Sequence, residues 1–149
     1  MSQPGLRRDR GGCVSLPELI ARLNGQPPAE RFHAALTLGK MGRKARKAVP
    51  ALIEALKDTD KNVRKAAALA LTDIGPDARE AVPGLCEVVL NDHEAAVRRR
   101  AAVALGEIGM TEAVAALEEA SAADESEKVR DTAAAALVEI GALAGRAAA

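Results

Sequence analysis

The chain has 149 residues, a length that suits one domain, and a compact domain of this size buries about 68–70% of its unfolded surface. Its apolar share of 48% is mostly Ala, Leu and Val, and Phe32 is the one aromatic residue. Helix-favouring Ala is abundant while strand-favouring runs are missing, so the class is all-α. The formal charge is zero, yet residues 1–65 carry 14 Lys/Arg against 6 Asp/Glu and residues 66–149 carry 7 against 15, a balance of +8 and then −8. Such a dipole fits a solvated surface, a basic end for an acidic partner, or head-to-tail self-association.

Residues 1–14 include an Arg pair, but no apolar run of signal-peptide length follows, and they read as a disordered N-terminal tail. No stretch of 18 apolar residues occurs, so no membrane role is expected. Cys13 lies in the tail and Cys86 on a helical core position, a spacing that fits neither a disulfide framework nor a metal knuckle. A reducing, cytoplasmic setting is expected.

From Ser15 onward two kinds of segment alternate. "SLPELIARL" from Ser15, "AVPALIEAL" from Ala48, "AVPGLCEVV" from Ala81 and "AVAALEEAS" from Ala113 are the first kind. "ERFHAALTLGKMG", "VRKAAALALTDIG", "VRRRAAVALGEIG" and "VRDTAAAALVEIG" are the second, ending at Gly42, Gly75, Gly109 and Gly141, intervals of 33, 34 and 32 residues. Each unit is therefore a pair of helices, and a period of this length marks a solenoid whose units bury their apolar faces against one another. The repeat domain spans 15–141, with units 15–42, 48–75, 81–109 and 113–141, and 142–149 is expected to be a frayed C-terminus.

Within the second helices Val63, Ala67, Ala70, Leu71 and Ile74 fall on one stripe, as do Val97, Ala101, Ala104, Leu105 and Ile108. Alanine columns let facing helices approach towards the short end of the usual ~8–10 Å range. Gly75, Gly109 and Gly141 are expected to stop helices with φ > 0. Pro17, Pro50 and Pro83 sit in first turns, where a missing N–H is harmless; the fourth unit has Ala115 there. Asp60 and Ser126 are candidate N-caps.

An Asp precedes an Arg by six residues in three units: Asp58 and Arg64, Asp92 and Arg98, Asp124 and Arg130. The spacing spans the turn between helices, so each carboxylate is expected to meet its own unit's guanidinium and to form a ladder along the stack. Gly25 breaks the pattern before Arg31.

With Pro, "D…VR" and "AL…IG" in register, residues 15–141 resemble the HEAT-repeat family, and especially the short HEAT-like repeats of the phycobilin lyase (PBS lyase) type. The resemblance implies an α-α superhelix, an armadillo-like solenoid, with the Pro-bearing helices on the convex side and the Arg-starting helices lining the concave side. It leaves function open among adaptors, lyase subunits, regulators and nucleic-acid enzymes.

One enzyme of this architecture, deoxyhypusine hydroxylase, holds two irons with several His-Glu pairs at the starts of second helices. Here there is one such pair, His93-Glu94, ahead of the matching position, and His33 is the other histidine. Cys86 aligns with Ile53 in a core column and reads as an inert thiol; Ser15, Ser121 and Ser126 have no recurring histidine, and the glycines are spread one per unit, so no phosphate loop forms. No catalytic residue, cofactor site or metal site is assigned. For nucleic acid, Arg43, Lys44, Arg46 and Lys47 and the cluster Arg98, Arg99 and Arg100 could touch phosphate, but a single aromatic residue and an acidic C-terminal half count against it.

The variable columns of the second helices remain. Phe32/Lys65/Arg99/Asp131, Leu36/Leu69/Val103/Ala135, Gly39/Thr72/Gly106/Val138 and Lys40/Asp73/Glu107/Glu139 stand opposite the core stripe. The expected partner-binding residues are Phe32, Leu36, Lys65, Leu69, Asp73, Arg99, Val103 and Glu107, an apolar lane with charged flanks suited to an extended or helical peptide. The sequence thus reads as a non-catalytic protein–protein interaction scaffold. A lyase-type accessory subunit and a nucleic-acid binder are the alternatives. After Gly141 no amphipathic helix covers the last unit, so two readings are open: that edge docks on something, including another copy, or the chain is a fragment of a longer array.

Overall fold

The computed structural model describes residues 14–25 and 27–148. The tail expected at 1–14 falls outside them except for Val14, which rests against the core. The described residues form eight α-helices and no strand: α1 (Leu16–Leu23), α2 (Pro28–Met41), α3 (Val49–Ala55), α4 (Lys61–Ile74), α5 (Val82–Asn91), α6 (Ala95–Ile108), α7 (Val114–Ala123) and α8 (Glu127–Ala148). Each odd-numbered helix pairs with the even-numbered helix that follows, and the pairs stack in order. The all-α solenoid of four hairpins stands as the sequence predicts.

Local chemistry sets the helix starts. Ser15 and Glu18 close a capping box on α1, the Ser15 Oγ accepting from the Glu18 N–H and the Glu18 carboxylate accepting from the Ser15 N–H. Asp60 caps α4 by accepting from the N–H groups of Asn62 and Val63 at 2.8 and 3.1 Å. At α8 the Ser126 carbonyl accepts from the Val129 and Arg130 N–H groups.

The units are joined by 3-10 turns, Gly42–Ala48, Gly75–Ala81 and Thr111–Ala113. In the first two, Ala45 and Ala48, and then Ala78 and Ala81, are fully buried three residues apart, the spacing of one 3-10 turn. Gly42, Gly75 and Gly109 have positive φ. At Gly75, φ 74° lets the chain leave α4 and enter the 3-10 turn in a conformation that a side chain would strain.

Gly141 behaves differently. It lies inside α8, which runs to Ala148, so the expected helix stop at Gly141 and the expected fraying of 142–148 are both corrected, while Ala149 lies outside the described residues. The "ALAGRAA" that follows is rich in alanine and carries no proline, so Gly145, at about 1 kcal/mol, is the one residue in it that opposes continued winding. The extension folds Leu143 over Gly109, where a Cβ would stand 2.7 Å from the Leu143 Cδ1.

One continuous core runs through the stack, built from Leu38, Leu52, Leu71, Ile74, Leu85, Leu105, Leu117 and Ile140 with the alanine columns between them. The second helices α2, α4, α6 and α8 pack on one another in succession and so form one side of the stack.

Candidate binding surface on the second helices

Three ion pairs hold the second helices in register, and they are wired between units. Arg31 donates Nε–H and Nη2–H to Asp58 at 2.7 and 3.0 Å, Arg64 to Asp92 at 2.8 and 3.2 Å, and Arg98 to Asp124 at 2.8 and 3.0 Å. The expected pairing of each aspartate with the arginine six residues later is therefore corrected. What the six-residue spacing supplies is a backbone contact: Arg31, Arg64, Arg98 and Arg130 donate Nη1–H to the carbonyls of Gly25, Asp58, Asp92 and Asp124. Only a carbonyl is needed there, which is why Gly25 serves as well as an aspartate.

Each ladder carboxylate also accepts the N–H two residues on, from Asp60, Glu94 and Ser126. These bonds compensate for burial. Arg98 is 5% exposed and Arg31 8%, and no buried side-chain N or O atom among the described residues lacks a partner. Burial would raise the Asp58 pKa, but the Arg31 guanidinium and the Asp60 N–H outweigh it and hold the carboxyl below its ordinary value. At Asp124 the hydrogen bond from Arg98 is the largest influence and also lowers it. Arg98, locked into this pair, is withdrawn from the basic cluster expected at 98–100.

The ladder fixes the faces that the second helices turn away from the core. Phe32 and Lys65 are half-buried and Arg99 is exposed; Leu36, Leu69 and Val103 are half-buried; Asp73 and Glu107 are exposed beside Lys40 and Glu139. The eight expected residues stand on three consecutive second helices, in three rows at matching heights. Phe32 and Leu36 rest on the core, and Phe32 meets His33 edge-on at 5.5 Å.

The glycines of the third column, Gly39 and Gly106, do not belong to this surface. Gly39 and Gly106 are buried between neighbouring second helices, and a Cβ on them would stand 3.2 Å from the Ala70 Cα and 3.1 Å from the Ala136 Cα. They allow close helix approach and line nothing. Sequence pattern alone missed this, although glycine inside an otherwise strong helix is itself a signal of close packing.

Elsewhere the chemistry is sparse. Among the described residues no group of three or more His, Cys, Asp or Glu is placed to hold a metal ion, and no helix is long and apolar enough to cross a membrane. His93 stands in the turn before α6, beside a groove between α3 and α5 lined by Ile53, Leu56, Gly84 and Val88. Cys86 is half-buried rather than fully enclosed, and burial pushes its thiol up, away from the reactive thiolate. Arg43, Lys44, Arg46 and Lys47 are exposed on the first 3-10 turn, with Arg43 bonded to Asp77 at 3.1 Å.

The chain belongs to the HEAT-repeat family: the family's model of HEAT repeats matches residues 16–94 and 82–148. It is similar in structure to a chain of the CpcE–CpcF complex of phycocyanin lyase from Nostoc sp. PCC7120, with 29% identity and a TM-score of 0.74 over 95% of this chain and 59% of that one. Human deoxyhypusine hydroxylase in complex with glycerol is similar at 29% identity and TM-score 0.70, over 85% of this chain and 43% of that one. An engineered protein shows 25% identity and TM-score 0.71, over 86% and 63%. The chain thus spans less than two thirds of each of these proteins. No curated protein matches it.

Proposed function

We propose that this chain is a non-catalytic scaffold that binds a protein partner in extended or helical peptide form along the inner face of its second helices. The observation that carries this reading is the lane of Leu36, Leu69 and Val103, half-buried on consecutive helices, with Phe32, Lys65 and Arg99 on one flank and exposed Asp73 and Glu107 on the other. Apolar side chains of a peptide would fill the lane, its acidic residues would face Lys65 and Arg99, and its basic residues would face Asp73 and Glu107. A rigid stack offers such a lane at low ordering cost. Panning a displayed peptide library on the full chain, in parallel with a Lys65→Glu/Leu69→Asp/Arg99→Glu chain, tests it. Peptides with spaced apolar residues and acidic neighbours should be enriched only by the unsubstituted chain; equal enrichment by both would count against this surface.

The likeness to a chain of the CpcE–CpcF complex supports a second reading, that of an accessory subunit of a phycobilin-lyase-like enzyme. Attachment of a bilin to a phycocyanin cysteine, measured with and without this chain, separates the two readings.

A further inference from the structure

Between α2 and α3 the chain passes through the 3-10 turn Gly42–Ala48, and four cations stand on that one turn. Ala45 and Ala48 are fully buried and pin it, which leaves Arg43, Lys44, Arg46 and Lys47 exposed. A 3-10 turn eclipses residues three apart at about 6 Å, so Arg43 stands over Arg46 and Lys44 over Lys47. Like charges held this close repel one another. Arg43 is compensated, since its Nε–H donates to Asp77 at 3.1 Å. Lys44, Arg46 and Lys47 form no ion pair among the described residues. With Leu16 and Asp77, the four cations line an open hollow of about 600 Å³.

The scaffold does not require this charge. The second turn, Gly75–Ala81, is built on the same pair of buried alanines, Ala78 and Ala81, and carries Pro76, Asp77, Arg79 and Glu80 at the four matching positions. The positive footprint is also short. The second turn packs against the first and brings Asp77 and Glu80 beside Arg79, and the third turn carries Glu112. A chain of phosphates running on along this edge would meet carboxylates within one turn. No aromatic ring stands ready for a base either, because Phe32 lies toward the other end of α2.

We infer that this hollow is a binding site for a compact cluster of two or three phosphates, carried by a small molecule or a lipid headgroup. The Arg46 guanidinium offers one phosphate a planar fork, and the Lys44 and Lys47 ammonium groups neutralise its neighbours as point charges. The site lies on the edge of the stack where second helices pass into first helices, apart from the lane proposed above, and it does not depend on that lane.

Calorimetric titration of the full chain with inorganic tripolyphosphate at low salt tests the inference, with a melt of every variant alongside. Binding should be saturable and one-to-one, and Lys44→Glu/Lys47→Glu should weaken it by roughly tenfold or more. Lys57→Glu/Lys61→Glu makes the same change in net charge at exposed lysines on the opposite edge and should leave it unaltered. Asp77→Asn removes the carboxylate from the hollow and frees Arg43, so it should tighten binding. Lys44→Gln/Lys47→Gln serves if the charge reversal does not fold. Vesicles bearing a bisphosphorylated inositol lipid that displace tripolyphosphate would put the phosphates on a membrane surface, and vesicles that do not would assign them to a soluble compound; the site stands in both cases. The inference is overturned if the folded chain does not bind tripolyphosphate, or if both charge-reversed variants lose affinity alike. It is equally overturned if a single-stranded RNA binds at this turn more tightly than tripolyphosphate, since the ligand is then a chain rather than a cluster.

Discussion

Arg64 is bound to Asp92, 28 residues ahead, and takes from Asp58, six residues behind, only a backbone carbonyl. The guanidinium thereby reads two units at once: Nη1 holds the turn of its own hairpin, while Nε and Nη2 grip the turn of the next. A lysine has no such planar fork, so arginine is required for geometry as much as for charge. Unit spacing along the row of second helices follows from this contact, and with it the alignment of the rows that contain Lys65 and Arg99.

Asp92→Ala removes one side of a pair whose side chains are 14% and 7% exposed and leaves the Arg64 fork buried without its acceptor. The cost should be about 3 kcal/mol, a fall of roughly 6–12 °C in melting temperature for a chain of this size. A thermal melt followed by circular dichroism checks it; an unchanged midpoint would remove the ladder as a source of stability.

Acid should weaken the stack through the same groups. Asp58 and Asp124 have folded pKa values below the ordinary carboxylate value, so between the two values the unfolded chain binds more protons than the folded one. Their stabilisation is complete above about pH 4 to 5 and is lost as pH falls through the depressed folded values. The melting temperature should therefore drop on acidification below about pH 4, and Asp124→Asn should flatten that drop.

Arg98 and Arg99 are neighbours in sequence with opposite burial. Arg98→Ala should cost about 3 kcal/mol by leaving Asp124 unpaired, whereas Arg99→Ala, on the exposed flank of the lane, should stay within about 0.5 kcal/mol. Urea unfolding of both variants decides between this assignment and a shared surface cluster of three arginines.

Two glycines should respond oppositely to alanine. At Gly106 a Cβ would lie 2.9 Å from the Glu139 Oε2 and 3.1 Å from the Ala136 Cα, so α6 and α8 must part. Overpacking of about 1–3 kcal/mol should exceed the helix-propensity gain of about 1 kcal/mol. Gly141 has nothing within 4 Å and sits inside α8, so Gly141→Ala should raise stability by about 1 kcal/mol.

The architecture was legible because stacking forces the same columns to recur: the spacing of Val63, Ala67, Leu71 and Ile74 names a buried stripe, and its repetition from Val97 names a solenoid. The ladder was half legible. A six-residue interval within a unit is visible in one line of sequence, but the partner across the unit boundary depends on how hairpins stack, which the interval does not encode. The first unit held the clue, since Gly25 has no carboxylate to accept from an arginine. The 3-10 turns escaped notice although "GRKARKAVP" and "GPDAREAVP" share alanines three apart. Gly141 misled because its counterparts Gly75 and Gly109 end helices, whereas α8 continues through Gly141 into the alanine-rich segment that follows. At the lane, the residues were found from variability between columns, but Gly39 and Gly106 were grouped with them because a helical wheel cannot separate a groove from a tight helix contact.

The most direct test of the scaffold reading is the dissociation constant of a library-selected peptide for the full chain and for the Lys65→Glu/Leu69→Asp/Arg99→Glu chain, with melts of both proteins alongside. Loss of affinity by about thirtyfold or more with intact helicity is the predicted result. Undiminished affinity in a folded triple variant would contradict it.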